Sequence, residues 1–286
     1  NVPQAMGHAL LAMVNPVLGI YTLMVAVPVG AIFSSSVFMN VSTTGALSVA
    51  AGVVLVELPA GQRAEALVVL VLLVGAIQLL AGLFRLGFLI RFVSNAVMTG
   101  FLNGVAVLII LGQLSDLTGY QSSFSNRVAQ ALDLLLRIGQ INPQATAIGV
   151  FTLALIVGLL WLKALQRFAF IIAIAVATVV LAVLSLPALS TAANFAAVPT
   201  VGSISAIPRE LPQLALPQLS LVLSLWLPAL SIAIIGLVQG AGVSQGTPNP
   251  DGRYPSVSRD FLSQGAANMA TSLVGGIPAG SGRINL

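Results

Sequence analysis

Three short clusters of polar residues stand inside otherwise apolar sequence. Gln4 follows Pro3 and sits one helical turn before His8. Asn40-Val-Ser-Thr-Thr-Gly45 opens an unusually short apolar segment. Gln239 ends a longer one and is followed by Gly240, Gly242, Ser244 and Gln245. Polar side chains at membrane depth are costly unless they face protein or a cavity, so each cluster is a candidate site. The second has the clearest chemistry. Ser42 is placed to cap a helix that begins near mid-membrane, with Thr43 and Thr44 in its first turn. Unpaired N–H groups at that end, together with the helix dipole, would hold an anion. A short span interrupted by small polar residues is also the general mark of a discontinuous helix in a transporter. The plain alternative is that these hydroxyls bond to neighbouring helices and that His8 is a hydrogen-bonded packing residue. Gly100–Gly104 and Gly236–Gly240 fit the small-xxx-small pattern, for which close helix packing is the default explanation.

The elements that must position these groups are helices. Of 286 residues, 58% are hydrophobic and 6% charged. A soluble domain carries roughly 25% charged residues, so the solvent around this chain must be largely lipid. Within lipid every backbone group needs an internal partner, which leaves helices as the spanning form. A span takes about 20 mostly apolar residues. Ala66–Phe84, Ala145–Leu162 and Phe168–Leu186 qualify clearly, and Ser94–Leu114 and Leu219–Val238 qualify with polar residues included. Val2–Val14, Pro16–Phe33, Ser42–Val56 and Phe261–Ile277 are shorter or broken by Gly and Pro. In Phe124–Ile138 the apolar residues Phe124, Val128, Leu132, Leu135 and Ile138 follow helical spacing, with Arg127, Gln130, Asp133 and Arg137 opposite. This predicts an amphipathic helix at the outer interface, with Ser125 as its N-cap. Pro199–Pro217 reads as an extended outer loop, because Pro208, Pro212 and Pro217 break a helical ladder.

Charge position orients the spans. With a cytoplasmic N-terminus, Arg85, Arg91, Lys163, Arg167, Arg253 and Arg259 fall inside against Asp251 and Asp260. Arg63, Arg127, Arg137 and Arg209 fall outside against Glu57, Glu65, Asp116, Asp133 and Glu210. That is a positive-inside bias. The basic residues are scattered singly, which argues against nucleic acid. There is no cysteine, hence no disulfide and no thiolate site. No HExxH, GxSxG or Walker motif occurs, and the spans read as free of buried Asp or Glu, since Asp116 and Glu57 lie at span ends. An enzyme working through metal or carboxylates is hard to build here, and no cofactor is expected.

The motifs carry a resemblance. Asn1-Val-Pro-Gln-Ala-Met-Gly-His with Gly19-Ile-Tyr-Thr resembles the opening of the SulP (sulfate permease) transporters. Leu83-Phe-Arg-Leu-Gly-Phe-Leu with Ser94-Asn-Ala-Val-Met-Thr-Gly-Phe is similar to the family's connection between its fourth and fifth spans. Gly265-Ala-Ala-Asn-Met-Ala-Thr-Ser-Leu-Val-Gly-Gly-Ile-Pro-Ala-Gly is similar to its ninth span and the lead into its tenth. The resemblance implies an all-α polytopic bundle: the first inverted repeat and the start of the second in a seven-plus-seven fold. It implies a core domain from residues 1–93 (spans one to four) and 219–286 (spans eight, nine and the start of ten). A gate domain would cover 94–190 (spans five to seven), and an extracellular loop 191–218.

By the same resemblance, an anion binds between the N-termini of two half-helices. Gln4, Ser42, Thr43, Thr44 and Gln239 would line one side, and Ala279, Gly280 and Ser281 the other. Ser42-Thr43 replaces the family's usual Gly-Pro, and Gln239 stands where Glu is frequent, so coupling through a carboxylate there is not supported. The implied protein is a multi-pass cell-membrane secondary transporter of sulfate or bicarbonate working by alternating access. A coupling proton or sodium ion, and a homodimer of the full-length protein, are further readings. Rival readings are a nucleobase or ascorbate permease of the same fold, an intramembrane enzyme, and a nontransporting membrane protein. The chain opens inside apolar sequence and stops at Gly280-Ser-Gly-Arg-Ile-Asn-Leu, where the tenth span should begin. It therefore reads as a fragment that is not expected to transport alone.

Overall fold

A computed structural model describes residues 2–88, 95–120, 122–124, 126–184 and 212–283. The helices are α1 (Val2–Leu11), α2 (Val17–Phe33), α3 (Gly45–Val56), α4 (Arg63–Leu83), α5 (Asn95–Thr118), α6 (Arg127–Leu136), α7 (Pro143–Trp161), α8 (Ala169–Leu184), α9 (Val222–Gly246) and α10 (Val257–Ser272). Among the described residues, four helical segments are long and apolar enough to cross a membrane: Arg63–Leu83, Pro143–Trp161, Gln166–Leu184 and Leu219–Gly246. Two short strands among the described residues interrupt the helical pattern, β1 (Met39–Thr43) and β2 (Ala279–Arg283). They pair antiparallel, with Asn40 opposite Gly282, Ser42 opposite Gly280 and Thr43 opposite Ala279. Sequence patterning anticipates helices alone. The strands are admissible because they lie mostly buried and supply each other's backbone partners, the condition for non-helical backbone within a membrane domain.

The chain forms two compact units: residues 1–109 with 201–286, and residues 110–200. In the first, α4 and α10 make the most extensive helix pairing, and α10 also packs on α2, and α9 on α4. Small residues allow this closeness, since a side chain at Gly265 would meet the backbone of Leu79 and one at Gly75 the backbone of Met269. The main apolar core joins α1, α3, α4 and α9 through Leu47, Leu55, Leu67, Leu70, Val71 and Ile232, all nearly inaccessible. Around it runs a seam of buried polar residues. Asn268 donates to Gln78 Oε1 at 2.8 Å. Its carboxamide also takes both backbone groups of Ala279, accepting from the N–H at 2.7 Å and donating to the carbonyl at 2.8 Å. Thr22 accepts from the Ile277 N–H at 2.8 Å. The approach to β2 is thereby held by side chains from α2 and α10.

In the second unit, α7 and α8 pair, and α6 is capped by Asn126, whose Oδ1 accepts from Val128 N at 2.9 Å and Ala129 N at 3.3 Å. The cap is therefore Asn126; Ser125 lies outside the described residues. The amphipathic helix is present but shorter than 124–138. Its apolar stripe (Val128, Leu132 and Leu135) is exposed, while Asp133 is buried. Asp133 accepts from Ser122 at 2.6 Å and Tyr120 at 2.9 Å and pairs with Arg137 at 3.1 Å. The Ser122 and Tyr120 hydroxyls, then the Arg137 charge, hold its carboxyl below the ordinary carboxylate range.

Other expectations shift. Gly100 and Gly104 meet nothing among the described residues, so they are not a packing seam there. Gly236 and Gly240 do pack, against the amides of Gln78 and Gln264. Residues 212–218 carry no regular structure, and the rest of the Pro199–Pro217 loop lies outside the described residues. Asp260, expected in a cytoplasmic loop, is a fully buried residue of the first turn of α10. It accepts from Ser35 N at 2.7 Å, Ser35 Oγ at 2.9 Å, Ser34 Oγ at 3.3 Å and Ser244 Oγ at 2.5 Å. The bundle thus contains a buried acid that a loop assignment hides. Its hydrogen-bond partners come from α9 and, more than two hundred residues away, from the end of α2.

Candidate functional site

The start of α3 gathers the three polar clusters. Ser42 and Thr43 belong to β1, and the helix begins at Gly45 with Thr44 as its N-cap, in extended backbone (φ −128°, ψ 144°). Ser42 is therefore not the cap, and Thr43 and Thr44 are not in the first turn. The physical reason is the pairing with β2, which claims Ser42 and Thr43 for a ladder that no local pattern announces. The Thr44 hydroxyl makes no capping bond; it donates to Gln239 Oε1 on α9 at 3.3 Å. The first bond of the helix runs from Ser48 N to Thr44 O at 3.0 Å. The N–H groups of Gly45, Ala46 and Leu47 come before it and lack an acceptor within the helix. They give α3 an electropositive end.

The second strand closes on this end. A Cβ at Gly280 would stand 3.0 Å from Thr44 Oγ1, 3.0 Å from Gln239 Oε1 and 3.2 Å from Leu47 Cδ1. Only glycine brings β2 so near the start of α3 without displacing these groups. Ala279 and Ser281 flank it and are buried. On the opposite side, His8 Nδ1 lies 2.9 Å from Thr43 Oγ1, so His8 is a hydrogen-bonded neighbour of the strand. Gln239 accepts from Thr44 through Oε1, and its amide nitrogen remains a donor.

Of the predicted site residues, the structure brings together Thr44, Gln239 and Gly280, with Ser42, Thr43, Ala279 and Ser281 in the paired strands beside them. Gln4 is exposed on α1. Residues that sequence reasoning missed are the buried amides Gln78, Gln264 and Asn268 behind β2. Their signal was available, because a glutamine or asparagine inside an apolar helix is costly without a partner. The arrangement can hold a small anion by backbone donors and hydroxyls.

The order helix, helix, strand at the start of the chain (α1, α2, β1) recurs near its end (α9, α10, β2), and the two strands meet antiparallel. That is the mark of an inverted repeat. Solved structures share this fold. The transmembrane domain of a cyanobacterium bicarbonate transporter, BicA, superposes with a TM-score of 0.74 at 21% identity, over 98% of this chain and 70% of that one. The murine Slc26a9 anion transporter in the inward-facing state gives 0.77 at 18% identity, over 99% of this chain and 49% of that one. In sequence, the chain is 28% identical over 284 residues to the protein of Bacillus subtilis (strain 168) named "Putative sulfate transporter YvdB", covering 97% of this chain and 51% of the relative. The chain spans about half the length of the curated relatives it matches. Residues 1–284 match the model of the sulfate permease family. With strand-paired discontinuous segments, an uncapped helix start and that match over nearly all its length, the chain belongs to the sulfate permease family.

Proposed function

We propose that this chain is the part of a secondary transporter that holds a small inorganic anion, sulfate or bicarbonate, at the start of α3. The reading rests on one observation: the uncapped N-terminus of α3, Gln239 and Gly280 converge from three separated stretches of sequence. The backbone N–H groups of Gly45, Ala46 and Leu47 and the helix dipole attract the anion, and the site needs no lysine or arginine. Gln239 and Ser281 orient it with amide and hydroxyl donors, and Thr44, which donates to Gln239 Oε1, fixes that amide. Ser42 and Thr43 set the strand, and Ala279 and Gly280 let β2 approach. Gln4, one turn before His8, borders the approach. Polar groups fixed at a helix end bind an anion without covalent chemistry, so the reading is transport and not catalysis.

Alternating access follows if residues 1–93 and 219–286 move as a core against a gate built from 94–190. The protein resides in the cell membrane with its N-terminus in the cytoplasm, where Arg85, Lys163, Arg167, Arg253 and Arg259 face. The names of the relatives, sulfate transporters among the curated proteins and bicarbonate and anion transporters among the structures, support this substrate class. The test is uptake of radiolabelled sulfate and bicarbonate by the full-length gene product at matched surface expression. Thr44→Leu fills the helix end and Thr43→Asp places a carboxylate beside it. Both should reduce uptake at least tenfold, and parental uptake in both would remove the anion from this helix end.

A further inference from the structure

Among the buried amides behind β2, one is unlike the others. Asn268 spends its whole carboxamide on Gln78 and Ala279. One turn earlier on the same helix, Gln264 is completely inaccessible, yet neither its Oε1 nor its Nε2 has a partner among the described residues. Ser281 on β2 is in the same condition: it is buried and its Oγ is unpartnered among the described residues. Leaving such groups unpaired is expensive, and native proteins rarely do so without a use for them.

The two groups border one point. The Gln264 amide nitrogen occupies the space where a Cβ of Gly240 would stand, and Ser281 Oγ lies 3.3 Å from that same position. Gln264 Oε1 lies 3.5 Å from the corresponding position at Gly236. Two glycines one helical turn apart on α9 thus make the slot in which this amide lies. One residue earlier in both segments, Gln239 and Gly280 form the contact that closes on Thr44. Gln264 therefore lies beside Ser281, whose strand closes on the start of α3. It does not line the site itself.

We propose that Gln264 is a positioning residue for Ser281, an inference that rests on the anion reading of the α3 site. A hydroxyl has one proton, and in the absence of a fixed acceptor it can point toward the anion or away from it. An amide N–H given to Ser281 Oγ occupies a lone pair of that oxygen. The serine proton is then directed to the other side, toward the anion, and the hydroxyl becomes a better donor. Anion binding completes the chain from Gln264 N–H through Ser281 O–H to the anion. Polarisation along such a chain strengthens each link. No proton is transferred and no bond is broken.

The experiment measures sulfate uptake by proteoliposomes holding the full-length gene product, as KM and maximal rate. The variants are Gln264→Met, Gln264→Glu, Ser281→Ala and the double variant Gln264→Met/Ser281→Ala. Gln264→Met keeps the volume and removes the donor. It should raise KM three- to tenfold with the maximal rate within twofold of the parent. Gln264→Glu, when ionised, accepts from Ser281 and turns its proton away from the anion, so it should raise KM further. The double variant should match Ser281→Ala alone, because Gln264 acts only through that hydroxyl. A purely structural role for Gln264 would instead give additive losses, with falls in maximal rate and in thermal stability. If Ser281→Ala raises KM and Gln264→Met does not, the proposal is wrong and the anion site stands. If Gln264→Met and Ser281→Ala are additive, the proposal is equally wrong. Parental KM in Ser281→Ala overturns the proposal, and parental uptake in Thr44→Leu as well removes the site on which it rests.

Discussion

At the scale of single residues, the site depends on one absence of a side chain and one hydroxyl that points away from its helix. Gly280 has Thr44 Oγ1 and Gln239 Oε1 each 3.0 Å from where its Cβ would be. A single methyl there asks both side chains to yield by a few tenths of an ångström, and a branched side chain asks for more than the slot holds. Gly280→Val should therefore abolish anion uptake at normal surface expression, while Gly280→Ala keeps a measurable part of it. Uptake assays at matched expression check the order. Ser42, in contrast, is a strand residue, so Ser42→Ala removes no helix cap and should cost far less than the about 1 kcal/mol of a lost cap.

At the scale of elements, β2 is held by side chains more than by its own strand length. Asn268 satisfies both backbone groups of Ala279. Asn268→Leu leaves both without a partner in a buried setting, which should cost roughly 2–5 kcal/mol. Ser263→Ala, which removes one bond from a hydroxyl to Gly30 O at 2.7 Å, should cost about 1 kcal/mol. Thermal unfolding of the detergent-solubilised protein should rank the two in that order. In the other unit, α6 carries an acid-sensitive tie. Hydrogen bonds from Ser122 and Tyr120, with the Arg137 charge, hold the Asp133 carboxyl below its usual value. A lowered native value means that the tie contributes fully above the unfolded carboxylate value of about 3.9. It is lost as pH falls through the native value, below the usual range. The protection factors of the α6 amides should thus be flat from neutrality down to about pH 4 and fall below it. Asp133→Asn should show lowered protection at neutral pH and no acid step.

At the scale of the whole molecule, the arrangement of charge makes a claim about sidedness. Arg167 follows α7 and Leu136 ends α6, and both are exposed. On the positive-inside reading they face opposite sides of the membrane. Single cysteines at these two positions should react from opposite sides with an impermeant reagent, Leu136→Cys in intact cells and Arg167→Cys only after permeabilisation. Labelling of both from outside would invert or break the assigned topology. The exposed stripe of α6 (Val128, Leu132 and Leu135) fits an interfacial position, where apolar side chains rest on the acyl boundary.

Helix existence was legible in the chain itself, because hydropathy records the solvent that surrounds each segment. Long apolar runs gave α4, α7, α8 and α9 within a few residues, apart from the C-terminal extension of α9 to Gly246. The polar clusters at His8, Thr43–Thr44 and Gln239 also announced themselves, since polar groups in apolar sequence need a reason. The tertiary structure alone decided how those clusters are used. Ser42 and Thr43 became strand residues because a segment more than two hundred residues away supplied their partners. Asp260 became a buried acid because Ser34, Ser35 and Ser244 converge on it from α9 and the end of α2. The roles of Gln264 and Asn268 differ although they lie on one helix one turn apart, since only Asn268 meets the backbone of Ala279. Hydropathy is a local sum and survives in one dimension. Hydrogen-bond partnership between distant segments is a property of three, and no window along the chain contains it.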